Sequence, residues 1–254
     1  MELPAGGTFS GEVACQKAWT TYNKYEIGGD PMACPWAGSD GKGGALHSTD
    51  VYAIPVDQTK DVRGCGLAIA YKSDPKAITP EDFTVISTNA KCPWKRNVDF
   101  DIPAFLPECP AGGCHCLWGW VHSPEAGTEQ MFQVMYRCKV TGMTGTRALP
   151  SPKVARKCPV DKTNCTVGAK QPHYWLQNER NNNNQWWTDP PYYNSDYGYA
   201  NGAQFDLWDA DSTTTGSQGT QYKRNYDETS PEEIRELELT RRVPPQARRH
   251  AEAI

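Results

Sequence analysis

The chain has 254 residues, a formal charge of −4 and a mean hydropathy of −0.70, with 22 glycines, 20 prolines and 10 cysteines. The charge leaves no basic footprint for nucleic acid, no run of about 18 apolar residues is present to cross a membrane, and the glycine and proline content argues against a helical bundle. The length suits one substantial β domain.

The cysteines are the strongest compositional feature. An even set at Cys15, Cys34, Cys65, Cys92, Cys109, Cys114, Cys116, Cys138, Cys158 and Cys165 implies a disulfide framework and an oxidising compartment. No pair of C-x-x-C elements is present, and Cys114-His115-Cys116 is too tight for ordinary zinc spacing. Locality suggests the pairs Cys15–Cys34, Cys65–Cys92, Cys109–Cys114, Cys116–Cys138 and Cys158–Cys165, each closing a short loop. Asn164-Cys165-Thr166 is a glycosylation sequon, which agrees with secretion. The start, MELPAGGTFSGEVAC, has neither a basic nor an apolar leader region. The expectation is that Met1 is not the biological start and that a leader is missing.

In chain order, residues 8–16 read as a first strand. Residues 23–50 are loop-rich and carry His47, and Pro55 confines 51–58 to an edge or a loop. Buried strands are expected at 64–72 and 83–87. The turns between them fall at Asp74-Pro75-Lys76 and Thr79-Pro80-Glu81-Asp82, the latter with Pro80 opening a helical turn. An irregular strand follows within 92–108.

Residues 115–122 and 131–140 are two aromatic and β-branched strands around the turn residues 123–127. If Cys116 and Cys138 are bonded across them, an antiparallel register sets Trp118 opposite Tyr136, Trp120 opposite Val134 and His122 opposite Phe132. All six then share one face, with Gln130 leaning toward it. A histidine, a glutamine and a ring at the open end of a tied hairpin form the wall of a site. The other reading is a strand-end histidine satisfied by a backbone carbonyl.

A strand remnant is expected at Ala148–Ala155, then the Cys158–Cys165 loop. Residues 171–208 carry nine tyrosines and tryptophans, either a core-covering wrap or a sugar-stacking surface. From Ser212 the composition becomes linker-like, and 231–242 (PEEIRELELTRR) is a short solvated helix within an otherwise disordered tail. The fold expected is all-β: a disulfide-stapled, antiparallel, immunoglobulin/fibronectin-like β-sandwich over residues 1–211, with long loops and a flexible tail over 212–254.

The runs Glu2-Leu3-Pro4-Ala5-Gly6-Gly7, Gly64-Cys65-Gly66-Leu67-Ala68-Ile69-Ala70-Tyr71, Pro80-Glu81-Asp82-Phe83, Val121-His122-Ser123-Pro124, Glu129-Gln130-Met131, Gly168-Ala169-Lys170-Gln171-Pro172 and Gly202-Ala203-Gln204 carry a family resemblance. Over about residues 2–208 the chain resembles the fungal lytic polysaccharide monooxygenases of auxiliary activity family 14. The resemblance implies a secreted copper enzyme acting as a monomer, with an external electron donor, on xylan associated with cellulose.

It also implies site residues. His47 matches the second histidine of a copper-binding histidine brace, although Leu46 replaces the usual aromatic neighbour and residues 51–58 look inserted. Phe132 matches an axial tyrosine, keeping the ring and losing the hydroxyl. His122 and Gln130 match the pair that contacts a copper-bound oxygen species without holding the metal. The first brace histidine, at the family's mature N-terminus, has no match here, because several dozen residues precede the Leu-Pro-Ala-Gly run in that family. His115, His173 and His250 are poor substitutes. The alternatives are a polysaccharide-binding protein, or a copper-binding one, without turnover on the same scaffold. A plain loop histidine is the other reading of His47.

Overall fold

The computed structural model describes residues 1–23, 33–34, 62–122, 132–174, 181–183 and 189–209. They all lie in the first of two units, Met1–Ser212, so the tail and its expected helix lie outside the described residues.

Among the described residues, eight strands form two sheets. The larger has six, in the order β1-β7-β6-β3-β4-β8: β1 (Glu2–Ala5), β7 (Phe132–Gly142), β6 (Cys114–Trp120), β3 (Cys65–Ala70), β4 (Thr84–Asn89) and β8 (Gly202–Ala203). The smaller pairs β2 (Thr8–Glu12) with β5 (Asn97–Asp101). Every β3 residue is buried because the large sheet is covered on both faces. Cys65, Leu67 and Ile69 join Val98 and Phe100 of β5 in one core, whereas Ala68 and Ala70 join Val85, Leu117 and Val121 in a second.

The alternation in Asn97–Asp101 explains the smaller sheet. Val98 and Phe100 point inward, while Asp99 and Asp101 accept hydrogen bonds from Ser10 Oγ (2.6 Å) and Thr8 Oγ1 (2.9 Å) on the outer face. The second core is covered by Tyr192, Tyr193, Tyr197 and Tyr199, so this part of the aromatic stretch is packing. Trp175, Trp186 and Trp187 lie outside the described residues. Gly66 is required under that cover: a Cβ there would stand 2.6 Å from Tyr193 Cε1.

Two expectations need correction. The sandwich is not wholly antiparallel, because β1 runs parallel to β7, pairing Glu2 with Lys139 through Ala5 with Gly142. Ala148–Ala155 forms no strand; it contributes only an isolated bridge, Lys153 to Lys170. Its two internal prolines, Pro150 and Pro152, withhold ladder donors. The turn at Thr79 is a single 3-10 turn over Pro80–Asp82, where Asp82 Oδ2 accepts from Thr79 N at 2.7 Å. Five disulfides staple the fold, Cys15–Cys34, Cys65–Cys92, Cys109–Cys114, Cys116–Cys138 and Cys158–Cys165, which are the pairs that locality suggests. Among the described residues no helix is long and apolar enough to cross a membrane.

Candidate functional site

Strand alternation builds the site wall. On β6, Cys114, Cys116, Trp118 and Trp120 point into the core between the sheets, and Leu117, with Val121 just past the strand, points the other way. His122 follows Trp120 in phase, and the two rings stack at 3.9 Å with a 20° interplanar angle. On β7, Phe132, Val134 and Tyr136 share that side. They line one cavity of about 610 Å³ with Trp118, Trp120 and His122, closed by Phe9, Val98 and Phe100 of the small sheet and by Met1.

The hairpin register is shifted by two residues from the one expected. Cys138 pairs with Cys114, Tyr136 with Cys116, Val134 with Trp118 and Phe132 with Trp120. The Cys116–Cys138 disulfide is therefore diagonal, with Cα atoms 5.7 Å apart. A bridge tolerates roughly 4.4–6.8 Å, so it does not choose between opposed and diagonal partners. Cys114, meanwhile, is bonded to Cys109. A slip of two preserves every side chain's face, whereas a slip of one would have reversed it. Hence His122 and Phe132 do share a face and a cavity, but Phe132 lies opposite Trp120, and His122 lies beyond the end of β6. Their exposure differs sharply: His122 is 3% exposed and Phe132 52%. The Phe132 ring meets Trp118 edge-on at 6.2 Å. Burial pushes the Tyr136 phenol well above its ordinary value, so this hydroxyl stays protonated.

His47 and Gln130 lie outside the described residues. Asn164 is exposed in the Cys158–Cys165 loop and donates from Nδ2 to Asp161 Oδ2 at 2.8 Å. Sequence reasoning missed the opposite wall of the cavity. The alternation of Val98 and Phe100 was the signal that could have found it.

Two other histidines are committed elsewhere. His115 Nδ1 lies 2.8 Å from Lys72 O. His173 is fully buried, with Nε2 3.1 Å from Tyr192 O and Nδ1 2.9 Å from Asn183 Nδ2. A carbonyl can only accept, so Nε2 carries the proton. Asn183 Nδ2, also within 2.8 Å of Asn182 Oδ1, is the donor to Nδ1. Burial holds the His173 pKa down at about 4, outweighing the hydrogen bond to Tyr192. Lys170, 1% exposed, binds Asp206 Oδ2 at 2.6 Å and Gly168 O at 2.9 Å, which gives the Gly168–Pro172 run a structural task. Among the described residues no group of three or more His, Cys, Asp or Glu could hold a metal ion.

Residues 1–230 match the family model for lytic polysaccharide monooxygenase AA14, reaching past the composition change at Ser212. The chain is 43% identical over 216 residues to an AA14 family lytic polysaccharide monooxygenase B of Trametes coccinea (strain BRFM310), covering 82% of this chain and 50% of that protein. It is 44% identical over 216 residues to an AA14 family lytic polysaccharide monooxygenase B of Pycnoporus cinnabarinus, covering 82% and 56%. An AA14 family lytic polysaccharide monooxygenase A of Trametes coccinea is 41% identical over 229 residues, covering 86% and 52%. The chain thus spans about half the length of the curated relatives it matches.

Proposed function

Because the chain belongs to the AA14 family of lytic polysaccharide monooxygenases, we propose that its full-length protein is a secreted, copper-dependent enzyme. It cleaves glycosidic bonds of plant cell-wall polysaccharide oxidatively, xylan on cellulose being the substrate the family suggests, and takes electrons from an external donor. In this reading the protein acts as a monomer.

The observation that supports it best is the grouping of His122 and Phe132 on one face of a disulfide-tied hairpin, at one cavity, in a chain of this family. His47 would supply one imidazole nitrogen, a ligand type that suits copper, and the Phe132 ring would stand beside the metal without donating to it. His122 and Gln130 would orient an oxygen-bearing ligand without holding the metal.

The described residues do not themselves fit a copper ion. Phe132 has no donor atom, His122 lies flat on Trp120, and His115 and His173 are engaged with backbone carbonyls. In this reading the donor set includes His47. When bound, copper would supply the one-electron chemistry that reduces an oxygen species.

The test incubates the full-length, copper-loaded protein with a reductant on xylan-coated cellulose and reads the soluble products by mass spectrometry. Oligosaccharides carrying one added oxygen are expected. Binding to the solid without such products would make this a non-catalytic polysaccharide-binding protein on the same scaffold, and copper uptake without either would make it a copper-binding one.

A further inference from the structure

A groove of about 610 Å³ is lined by Lys153, Val154, Arg156, Cys165, Thr166 and Val167. Ala155 is buried in the second core, so the groove overlies that core, across the large sheet from the candidate site. Val154 and Arg156, on either side of Ala155, face outward. Thr166 ties the two walls together: its Oγ1 donates to Val154 O at 2.8 Å and accepts from Arg156 N at 3.0 Å. The Cys158–Cys165 disulfide and the bridge from Lys153 to Lys170 fix both walls to the fold.

The lining is apolar and cationic at once. Val154 and Val167 are exposed and give the groove an apolar surface. Its charge is of one sign, because no acid lines it. The neighbouring lysines are already matched, Lys157 to Asp189, Lys162 to Asp196 and the buried Lys170 to Asp206. Lys153 and Arg156, both exposed, have no carboxylate partner among the described residues.

We propose that this groove binds a uronic acid residue of a polysaccharide, with the carboxylate on Arg156 and Lys153 and the C–H face of the sugar ring on Val154 and Val167. This rests on the reading above, in which the protein works on plant cell-wall polysaccharide, and it adds the charged substituent that is recognised. A guanidinium fork matches a carboxylate with two parallel hydrogen bonds. A free sulfate or phosphate would meet the cations but leave the valines in water, and a neutral sugar would cover the valines without matching the charge. Because the groove lies across the sheet from His122, the uronate is held there and not oxidised. It anchors the protein to an acidic chain and leaves the candidate site free for the bond to be cut.

The test titrates the metal-free, full-length protein with xylotetraose carrying one glucuronic acid branch and with unbranched xylotetraose, by calorimetry and by methyl NMR. The branched sugar should bind about tenfold more tightly at low salt. It should shift the Val154 and Val167 methyl signals and lose its advantage at about 0.5 M sodium chloride. Arg156→Gln and Lys153→Gln, both at exposed positions, should each reduce the preference and together abolish it, with binding of the unbranched sugar unchanged. Equal affinity for the two sugars, or a preference that survives in the double variant, overturns the proposal. Equally effective displacement by poly-glutamate also overturns it, by making the groove an indiscriminate cationic patch. Oxidised products from xylan-coated cellulose, read on the same variants, keep the two readings apart. Products without a preference for the branched sugar defeat the groove but not the enzyme, and the preference without products does the reverse.

Discussion

His173 should make the fold acid-sensitive within a narrow window. Its Nδ1 faces the amide hydrogens of Asn183 and its Nε2–H faces Tyr192 O, so a second ring proton would have to displace a donor in a fully buried site. The rings against it, Tyr193, Tyr197 and Tyr199, have phenols raised by burial and stay neutral through this range. An unfolded histidine takes its proton near 6.5, whereas His173 in the fold refuses it until about 4. Between those values the unfolded state binds more protons, so stability rises with pH from about 4 to 6.5, and this group contributes no slope above that. The full swing is about 3 kcal/mol. Urea denaturation at a series of pH values should show it as a difference between the native chain and His173→Gln, closing by about 3 kcal/mol from pH 7 to pH 4. Parallel curves for the two would mean that His173 carries no such proton linkage.

Replacing Lys170 by Met strands the Asp206 carboxylate at a site 1% exposed on the lysine side, and should cost about 3 kcal/mol in the same assay. Gly66→Ala drives a methyl against the Tyr193 ring and should cost about 1–3 kcal/mol, with Gly11→Ala, whose Cβ meets nothing closer than 3.5 Å, as the mild control. Secreted from a eukaryotic host, the protein should lose mass on treatment with an N-glycosidase, and Asn164→Gln should remove that loss.

The strands most legible in the sequence were those whose burial pattern is local. β3 is a continuous apolar run, and β6 and β7 carry the alternation that groups Trp118, Trp120, His122, Phe132, Val134 and Tyr136. Register was not legible to better than two residues, because a disulfide accepts diagonal partners and period-two alternation repeats under a shift of two. The parallel pairing of β1 with β7 was invisible for a different reason. Glu2–Ala5 is four residues long, includes Pro4, and pairs across more than 130 positions, so only tertiary packing makes it a strand. Lys153 misled in the opposite sense: its neighbourhood is apolar enough for a strand, yet prolines at 150 and 152 leave one bridge. Within the candidate site, His122 and Phe132 were legible from the hairpin; the alternation of Val98 and Phe100 marks an inward face of a second sheet, but only tertiary packing sets that face, with Phe9, against the hairpin.

Copper(II) titration of the full-length protein alongside its His47→Ala and His122→Ala variants tests the central claim most directly. Stoichiometric, sub-micromolar binding is expected of the native protein, with its loss in His47→Ala and its retention in His122→Ala with oxidised products suppressed, since in the proposed site His122 would orient a ligand of the metal and not hold the metal itself. Copper that stays bound in His47→Ala, or leaves in His122→Ala, would contradict it.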